Sequence, residues 1–324
     1  MKVHILDDWF DTLRGLSCFN LLAGHDVTVW TDHQPDEAIL ADRLQDADCV
    51  VLFRERTKVT PGLLERLPNL RLISQRGAYP HVDVAACTDQ GVLLCSNKGA
   101  DGANHAAAEL TFALILAAMR QLPQQMTSVK AGNWQMGVGR SLRGRRLGLY
   151  GYGRIGRVVA DYARAFGMEV VWWSSEAGRA QAKADGETVP ESRAAFFGTC
   201  DVVSLHLRLT SETRGSVTAD DLGAMPPRSV LVNTSRAGLI AEGALLQALN
   251  AGHLGAAAVD VFDFEPLTDP SDPLLSHPKM IATPHIGFVT EDEFDKQFAD
   301  IFEQVNAYAA GAPIHMINPS VYAP

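Results

Sequence analysis

The chain has no Cys-x-x-Cys pair and no His/Cys cluster at metal-ligand spacing; its 5 cysteines, Cys18, Cys49, Cys87, Cys95 and Cys200, are scattered and odd in number. That excludes a zinc module and a disulfide framework, and it predicts reduced thiols in the cytoplasm. No long hydrophobic run is present either. The longest, Leu110 to Met119, is about half of what a membrane span needs, and the N-terminus reaches Asp7 and Asp8 too early for a secretory leader. Positive charge is scarce: 28 Lys and Arg stand against 38 Asp and Glu, a net charge of −10. A chain of that sign is a poor partner for nucleic acid or an anionic membrane. Repeats and low-complexity tracts are missing as well. What remains is 324 residues, 47% apolar and 20% charged, the composition of a soluble protein with substantial cores and length for two domains.

Short apolar segments recur along the first part of the chain: Lys2 to Leu6, Val27 to Trp30, Cys49 to Phe53, Leu70 to Ser74 and Val92 to Cys95. Stretches with helical spacing lie between them, among them Ala38, Leu40, Ala41 and Leu44, then Leu63, Leu64 and Leu67. Strands alternating with helices predict a parallel α/β sheet. After a break at Gly99, Gly102 and Asn104, Ala106 to Arg120 reads as a long, largely buried helix. A second alternation follows through Leu147–Tyr150, Glu169–Trp173, Val202–Leu205, Val230–Asn233, Ala257–Val261 and Met280–Thr283. Past Pro284 only helical periodicity remains, from Glu291 to Ala310, and a lone helix must dock on a sheet elsewhere. The expected organisation is a doubly wound domain of residues 99–289 inserted into a flavodoxin-like domain of residues 1–98 and 290–324, each with a parallel sheet.

At the start of the second alternation, Leu147-Gly148-Leu149-Tyr150 runs into Gly151-Tyr152-Gly153-Arg154-Ile155-Gly156, which opens a helix with apolar residues at Ile155, Val158, Val159, Tyr162, Ala163 and Phe166. G-x-G-x-x-G between a strand and a helix is a dinucleotide fingerprint. Gly151 permits the turn, Gly153 lets backbone approach a pyrophosphate, and Gly156 lets the helix pack on the strand. The next strand ends in Ser174 where a ribose-binding acid is usual. Glu176 reads either as that acid displaced or as a solvated loop residue, and Arg179 is the nearby cation for a 2′-phosphate. NAD is expected and NADP stays open.

Three later strands each end in an ionisable residue: Asn233-Thr234-Ser235-Arg236, Asp260-Val261-Phe262-Asp263-Phe264-Glu265-Pro266 and Thr283-Pro284-His285-Ile286-Gly287. An Arg clamps a carboxylate in two-pronged fashion. A His exchanges a proton near neutral pH, and a Glu beside it orients the ring. Singly, each is more often a surface charge or a satisfied polar group; together, downstream of a nucleotide loop, they describe an oxidoreductase site.

These motifs, with the Leu70-to-Asp83 segment, Leu142-Arg143-Gly144 and Gly311 through Pro319, resemble the D-isomer-specific 2-hydroxyacid dehydrogenase family over nearly the whole chain. The resemblance implies that NAD(P)-dependent hydride transfer interconverts a D-2-hydroxyacid and its 2-ketoacid. His285 would be the acid/base, Glu265 its partner, and Arg236 the clamp on the substrate's carboxylate and carbonyl oxygen. It also implies that Asp260 meets the nicotinamide carboxamide, that Arg154 and Ile155 lie against the pyrophosphate, and that Ser174, His206, Thr234 and Gly287 lie along the cofactor. The Gly77-Ala78 backbone would receive the substrate carboxylate, with Arg54 at the pocket mouth, and a homodimer is the expected assembly.

Four departures from the family pattern stand out. Arg76 occupies a position where a small residue is common; pointing inward with Arg54 and Arg56 it would favour a dianionic or bulkier acidic substrate, pointing outward it is a surface charge. Arg208 replaces a proline beside the cofactor and is a second candidate for a 2′-phosphate. Phe288 stands in place of a glycine and would narrow the pocket. Trp134 reads equally as a reach toward a partner subunit and as a core aromatic of its own chain. Two alternatives share the fold: a dinucleotide-sensing corepressor-like protein, and a formate or phosphite dehydrogenase.

Overall fold

The computed structural model describes residues 1–97 and 105–322; the Gly99, Gly102 and Asn104 break and the 98/99 boundary expected above involve residues outside that set. Chain contacts divide the protein into two compact units, Met1–Asp101 with Val289–Pro324, and Gly102–Phe288. In chain order the first carries β1 (Lys2–Ile5), β2 (Asp26–Val29), α1 (Glu37–Arg43), β3 (Cys49–Val51), α2 (Pro61–Glu65), β4 (Leu72–Arg76), α3 (Val84–Asp89) and β5 (Leu93–Asn97). The second carries α4 (His105–Arg120), α5 (Leu122–Lys130), β6 (Arg146–Tyr150), α6 (Arg154–Ala165), β7 (Glu169–Trp173), α7 (Glu176–Ala184), α8 (Arg193–Thr199), β8 (Val202–Leu205), α9 (Ala219–Ala224), β9 (Ser229–Asn233), α10 (Ala244–Asn250), β10 (Leu254–Val259) and β11 (Met280–Ala282). The final helix, α11 (Glu291–Ala309), belongs to the first unit.

The first unit's sheet has the order β2-β1-β3-β4-β5, all parallel, which is the flavodoxin-like arrangement. Its strands are apolar on both faces because both are covered. Helices α1 to α3 bury Leu40, Leu63, Leu64 and Cys87 against one face. On α11, Phe294, Phe298 and Phe302 recur at i, i+4 and i+8, and the first two pack on the Phe53 ring at centroid distances of 5.2 and 5.0 Å. The Ser74 hydroxyl donates to Ile301 O at 3.0 Å and pins α11 to the sheet. The exposed edge of β5 is closed by the segment around Met316, which pairs antiparallel with Cys95, so no open row of amides is left there.

The second unit has the order β11-β10-β9-β8-β6-β7, again all parallel. Helices α4 and α6 pack on one face, and α8 to α10 bury Phe196, Phe197, Leu222 and Leu249 on the other. The apolar Leu110-to-Met119 stretch is part of α4, where Leu114, Ile115 and Met119 are buried within this unit. Strand order reverses between β6 and β8, and ligands of open α/β sheets bind beyond the strands' carboxyl ends at such a reversal.

All five cysteines are buried and unpaired. Desolvation pushes the Cys87 thiol up to about 11 and those of Cys18, Cys95 and Cys200 up to about 12, so these thiols stay protonated and inert. Among the described residues no helix is long and apolar enough to cross a membrane, and no group of His, Cys, Asp and Glu is placed to hold a metal.

Candidate active site

Because every strand of the second unit runs the same way, the residues that follow them share one edge. The glycine turn follows β6, Ser174 follows β7, His206 and Arg208 follow β8, Thr234 and Arg236 follow β9, Asp260 and Glu265 follow β10, and His285 and Gly287 follow β11.

The three glycines of the turn do three different things. Gly151 has φ +119°, and a Cβ there would lie 2.5 Å from the carbonyl oxygen of His206. Gly156 sits under the Trp172 ring, with a would-be Cβ 3.1 Å from both that ring and the Gly151 carbonyl. At Gly153 a Cβ would meet nothing within 4 Å, although this residue caps α6 in ordinary extended geometry, φ −126°, ψ −177°. The open volume above Gly153, at a helix N-terminus, is where a pyrophosphate fits. Arg154 and Ile155 are the first residues of that helix. These positions therefore fit the dinucleotide that the fingerprint implies. Beside them, desolvation pushes the His206 ring down to about 4, so it is neutral at pH 7, with Nε2 bonded to Ser204 Oγ at 2.9 Å.

The catalytic candidates come together. His285 Nδ1 and Glu265 Oε2 are 2.5 Å apart, and Glu265 Oε1 accepts the Phe262 amide at 2.8 Å. Burial by itself raises the Glu265 pKa; the hydrogen bond and charge of His285, the Phe262 amide and the charge of Arg236 outweigh it and hold the carboxyl below its usual value. Arg236 projects from a turn folded by Asn233, whose Nδ2 donates to Arg236 O at 2.9 Å and whose Oδ1 accepts the Ser235 amide at 3.0 Å. Thr234 is fixed through a 2.6 Å hydroxyl pair with Thr111 of α4.

His285 has φ +54°, a left-handed backbone that a non-glycine residue holds only under restraint. The restraint is Asp260. Its carboxylate accepts the Thr283 hydroxyl at 2.6 Å and the amides of Ile286 at 2.9 Å and Gly287 at 2.8 Å. It is 0% exposed, and desolvation pushes its pKa up against those three bonds and the His285 charge. Asp260 thus has a second job beside the contact with the nicotinamide carboxamide proposed for it: its oxygens hold the 283–287 loop, where three donors reward burying the charge. The sequence signal was available in the Asp260-Val261-Phe262 segment lying opposite Thr283-Pro284-His285, but the staple itself needs tertiary structure. Phe288 packs edge-on against His285, ring centroids 5.8 Å apart, and so braces the imidazole.

In the first unit, Gly77 has φ +96° and Arg54 Nη1 lies 3.6 Å from where its Cβ would be. The Gly77 amide donates to Asn97 O at 2.8 Å. The Gly77-Ala78 backbone, expected to receive a substrate carboxylate, thus has its Gly77 amide bonded within the chain and Arg54 close by. Arg76 does not join Arg54 in a free cationic cluster. Its Nε pairs with Asp300 at 3.0 Å, which α11 supplies, and Arg56 stacks between Trp9 and Phe53 at 4.0 and 4.2 Å. Arg76 and Arg56 are thus each engaged within the chain, while Arg54 and Arg76 line one small cavity. Trp134 is 71% exposed and is no core aromatic of its own chain.

The model of the D-isomer-specific 2-hydroxyacid dehydrogenase NAD-binding domain matches residues 112–287. D-3-phosphoglycerate dehydrogenase of Bacillus subtilis (strain 168) is 36% identical over 290 residues, 87% of this chain and 53% of that protein. Glyoxylate reductase of Aeropyrum pernix is 33% identical over 310 residues, 92% of this chain and 91% of that one. The chain thus spans about half the length of the phosphoglycerate dehydrogenases it matches and nearly all of the glyoxylate reductase. Among solved structures, a phosphoglycerate oxidoreductase from Vibrio cholerae o395 shares 45% identity at a TM-score of 0.91, covering 96% of this chain and 100% of that one. A formate dehydrogenase from Granulicella, at 24% identity and a TM-score of 0.75, shares the fold alone. By the matched model, the extent of these relatives and the strand-end geometry they accompany, the chain belongs to the D-isomer-specific 2-hydroxyacid dehydrogenase family.

Proposed function

We propose that the protein reduces a small 2-ketoacid to the D-2-hydroxyacid, and catalyses the reverse oxidation. The observation that carries this reading is the 2.5 Å Glu265–His285 pair on the same sheet edge as the glycine turn. A dinucleotide bound at that turn supplies or accepts the hydride at C2. Everything else falls to the chain. With Nδ1 engaged by Glu265, His285 gives its Nε2 proton to the oxygen on C2, and the ionised Glu265 stabilises the charged ring before transfer and keeps its orientation. Arg236 grips the substrate carboxylate and the polarised C2 oxygen through its planar fork. Asp260 is a positioning residue, holding the loop that carries His285. The names of the relatives make glyoxylate and D-3-phosphoglycerate the first substrates to try.

We further propose a homodimer formed through the segment after α4. Leu122, Met126, Val129, Trp134, Met136 and Val138 are all exposed there, Val138 by 83%, a density of apolar surface that marks an interface.

Consumption of NADH and NADPH followed at 340 nm with glyoxylate, hydroxypyruvate, pyruvate, oxaloacetate and 2-ketoglutarate, and formation of reduced cofactor from D-3-phosphoglycerate, test the reading. His285→Ala should lower turnover at least a hundredfold, since general acid/base help alone is worth roughly 10²- to 10⁴-fold. A His285→Ala variant with wild-type turnover overturns the assignment.

A further inference from the structure

The dinucleotide reading leaves open which form of the cofactor the adenosine end is built for, and the structure around the end of β7 bears on that choice. Tyr150 and Trp173 are register partners, and the Gly151 amide donates to Trp173 O at 2.8 Å, so the residue after β7 stands level with the glycine turn. At that point a carboxylate would hold the ribose hydroxyls of NAD and repel a 2′-phosphate. The residue is Ser174, 9% exposed, and its hydroxyl lies against the glycine-turn amide of Tyr152 at 3.5 Å.

Arg179 is the cation of this corner. Its guanidinium stacks over the Trp173 ring, 4.5 Å from the centroid, and Nη1 donates to the Ser174 carbonyl. One hydrogen bond and one ring face fix the fork beside Ser174, so little side-chain freedom is lost when its remaining donors take an anion. Glu176, the acid that could oppose this, is an exposed residue in the first turn of α7, where a negative charge is accounted for by the helix dipole. Arg208, the other cation considered from the sequence, is exposed in the loop after β8. In the sheet β6 separates β8 from β7, which puts that loop about 10 Å across the edge at ~4.8 Å per strand.

We infer that this chain binds the 2′-phosphorylated dinucleotide at least as well as NAD(H), with Arg179 holding the 2′-phosphate. The inference rests on the dinucleotide reading above. Charge-assisted contacts between a guanidinium and a phosphate are the strong class of hydrogen bond, whereas NAD(H) presents only a hydroxyl there.

Titration calorimetry of the enzyme with NADPH and with NADH, without any ketoacid, tests it. Wild type should bind NADPH as tightly as NADH or more tightly, within the roughly threefold resolution of such a comparison. Arg179→Gln should weaken NADPH by roughly tenfold or more while NADH stays within about threefold, which also shows that the variant is folded; Arg179→Lys should fall between. Tighter binding of NADH by more than about threefold in wild type, or an equal response of both dinucleotides to Arg179→Gln, overturns the inference while leaving the dinucleotide reading intact. If neither dinucleotide binds, that reading fails, and the inference fails with it.

Discussion

Replacing Gly151 and Gly153 by alanine, one at a time, should have opposite consequences although the two residues are neighbours in one motif. At Gly151 the new methyl would lie 2.5 Å from the His206 carbonyl oxygen and 2.6 Å from its carbon, and φ is +119°. Both neighbours are backbone at the end of β8, so neither yields cheaply. Strain at such a φ costs about 1–3 kcal/mol and overpacking about as much again, together about 3 kcal/mol or more. For a domain of this size about 1 kcal/mol shifts the melting point by about 2–4 °C, so Gly151→Ala should melt about 6–12 °C or more below wild type. At Gly153 the methyl would meet nothing within 4 Å, and φ −126°, ψ −177° suits any residue. Gly153→Ala should therefore keep the wild-type melting point to within about 1 °C, yet fill the space the pyrophosphate needs and weaken dinucleotide binding about a hundredfold. Calorimetric melting of the ligand-free protein, followed by dinucleotide titration of each variant, reads both effects. Equal destabilisation by the two substitutions, or undiminished binding by Gly153→Ala, would refute the division of labour.

Removing the Asp260 carboxylate as Asp260→Ala strands the Thr283 hydroxyl and the Ile286 and Gly287 amides; at about 1–3 kcal/mol for each buried orphan, less the relief of a buried charge, the ligand-free protein should lose about 3 kcal/mol, and an unchanged melting point would return Asp260 to a purely ligand-binding role. Glu265 has a depressed pKa, so its contribution to stability is present above pH 4.5, its ordinary value, and is lost as pH falls through the lower folded value. The melting-point gap between wild type and Glu265→Gln should accordingly close in acid; a gap independent of pH between 7 and 3 would contradict the ion-pair account. Replacing Trp134 and Val138 together by serine should shift the sedimentation coefficient toward that of a monomer without lowering the melting point of the monomer itself, and unaltered sedimentation would remove this segment from the interface.

Much of the fold was legible because the sheets are buried on both faces, which leaves unbroken apolar runs. Residues 169–173 and 202–205 were read as strands to the residue. The boundaries failed where polar or small residues continue a strand. β4 and β5 extend to Arg76 and Asn97 through Gln75 and Ser96, both buried and bonded to each other at 2.9 Å. β10 begins at Leu254 instead of Ala257 because Gly255, which reads as a breaker, sits at a register shift where a Cβ would be 2.7 Å from Arg228. In the site, the glycine turn and the Arg, Glu and His were visible as strand-end residues. The inward turn of Asp260, the capture of Arg76 by Asp300 and the seating of Arg179 on Trp173 were not. The first two depend on partners 23 or more residues away in sequence, and the last on the direction in which a helical side chain lies over the preceding strand.

On the proposed function, hydride passes from a nicotinamide to C2 of a ketoacid on one face only. Reduction of hydroxypyruvate, pyruvate and oxaloacetate with NADH or NADPH carrying deuterium at both C4 positions of the nicotinamide, followed by mass spectrometry and chiral separation of the product, is the direct test. The account predicts at least one hydroxyacid carrying deuterium at C2 in the D configuration, with the signal suppressed at least a hundredfold in His285→Ala. Product without deuterium, product of the L configuration, or no product from any of these ketoacids would contradict it.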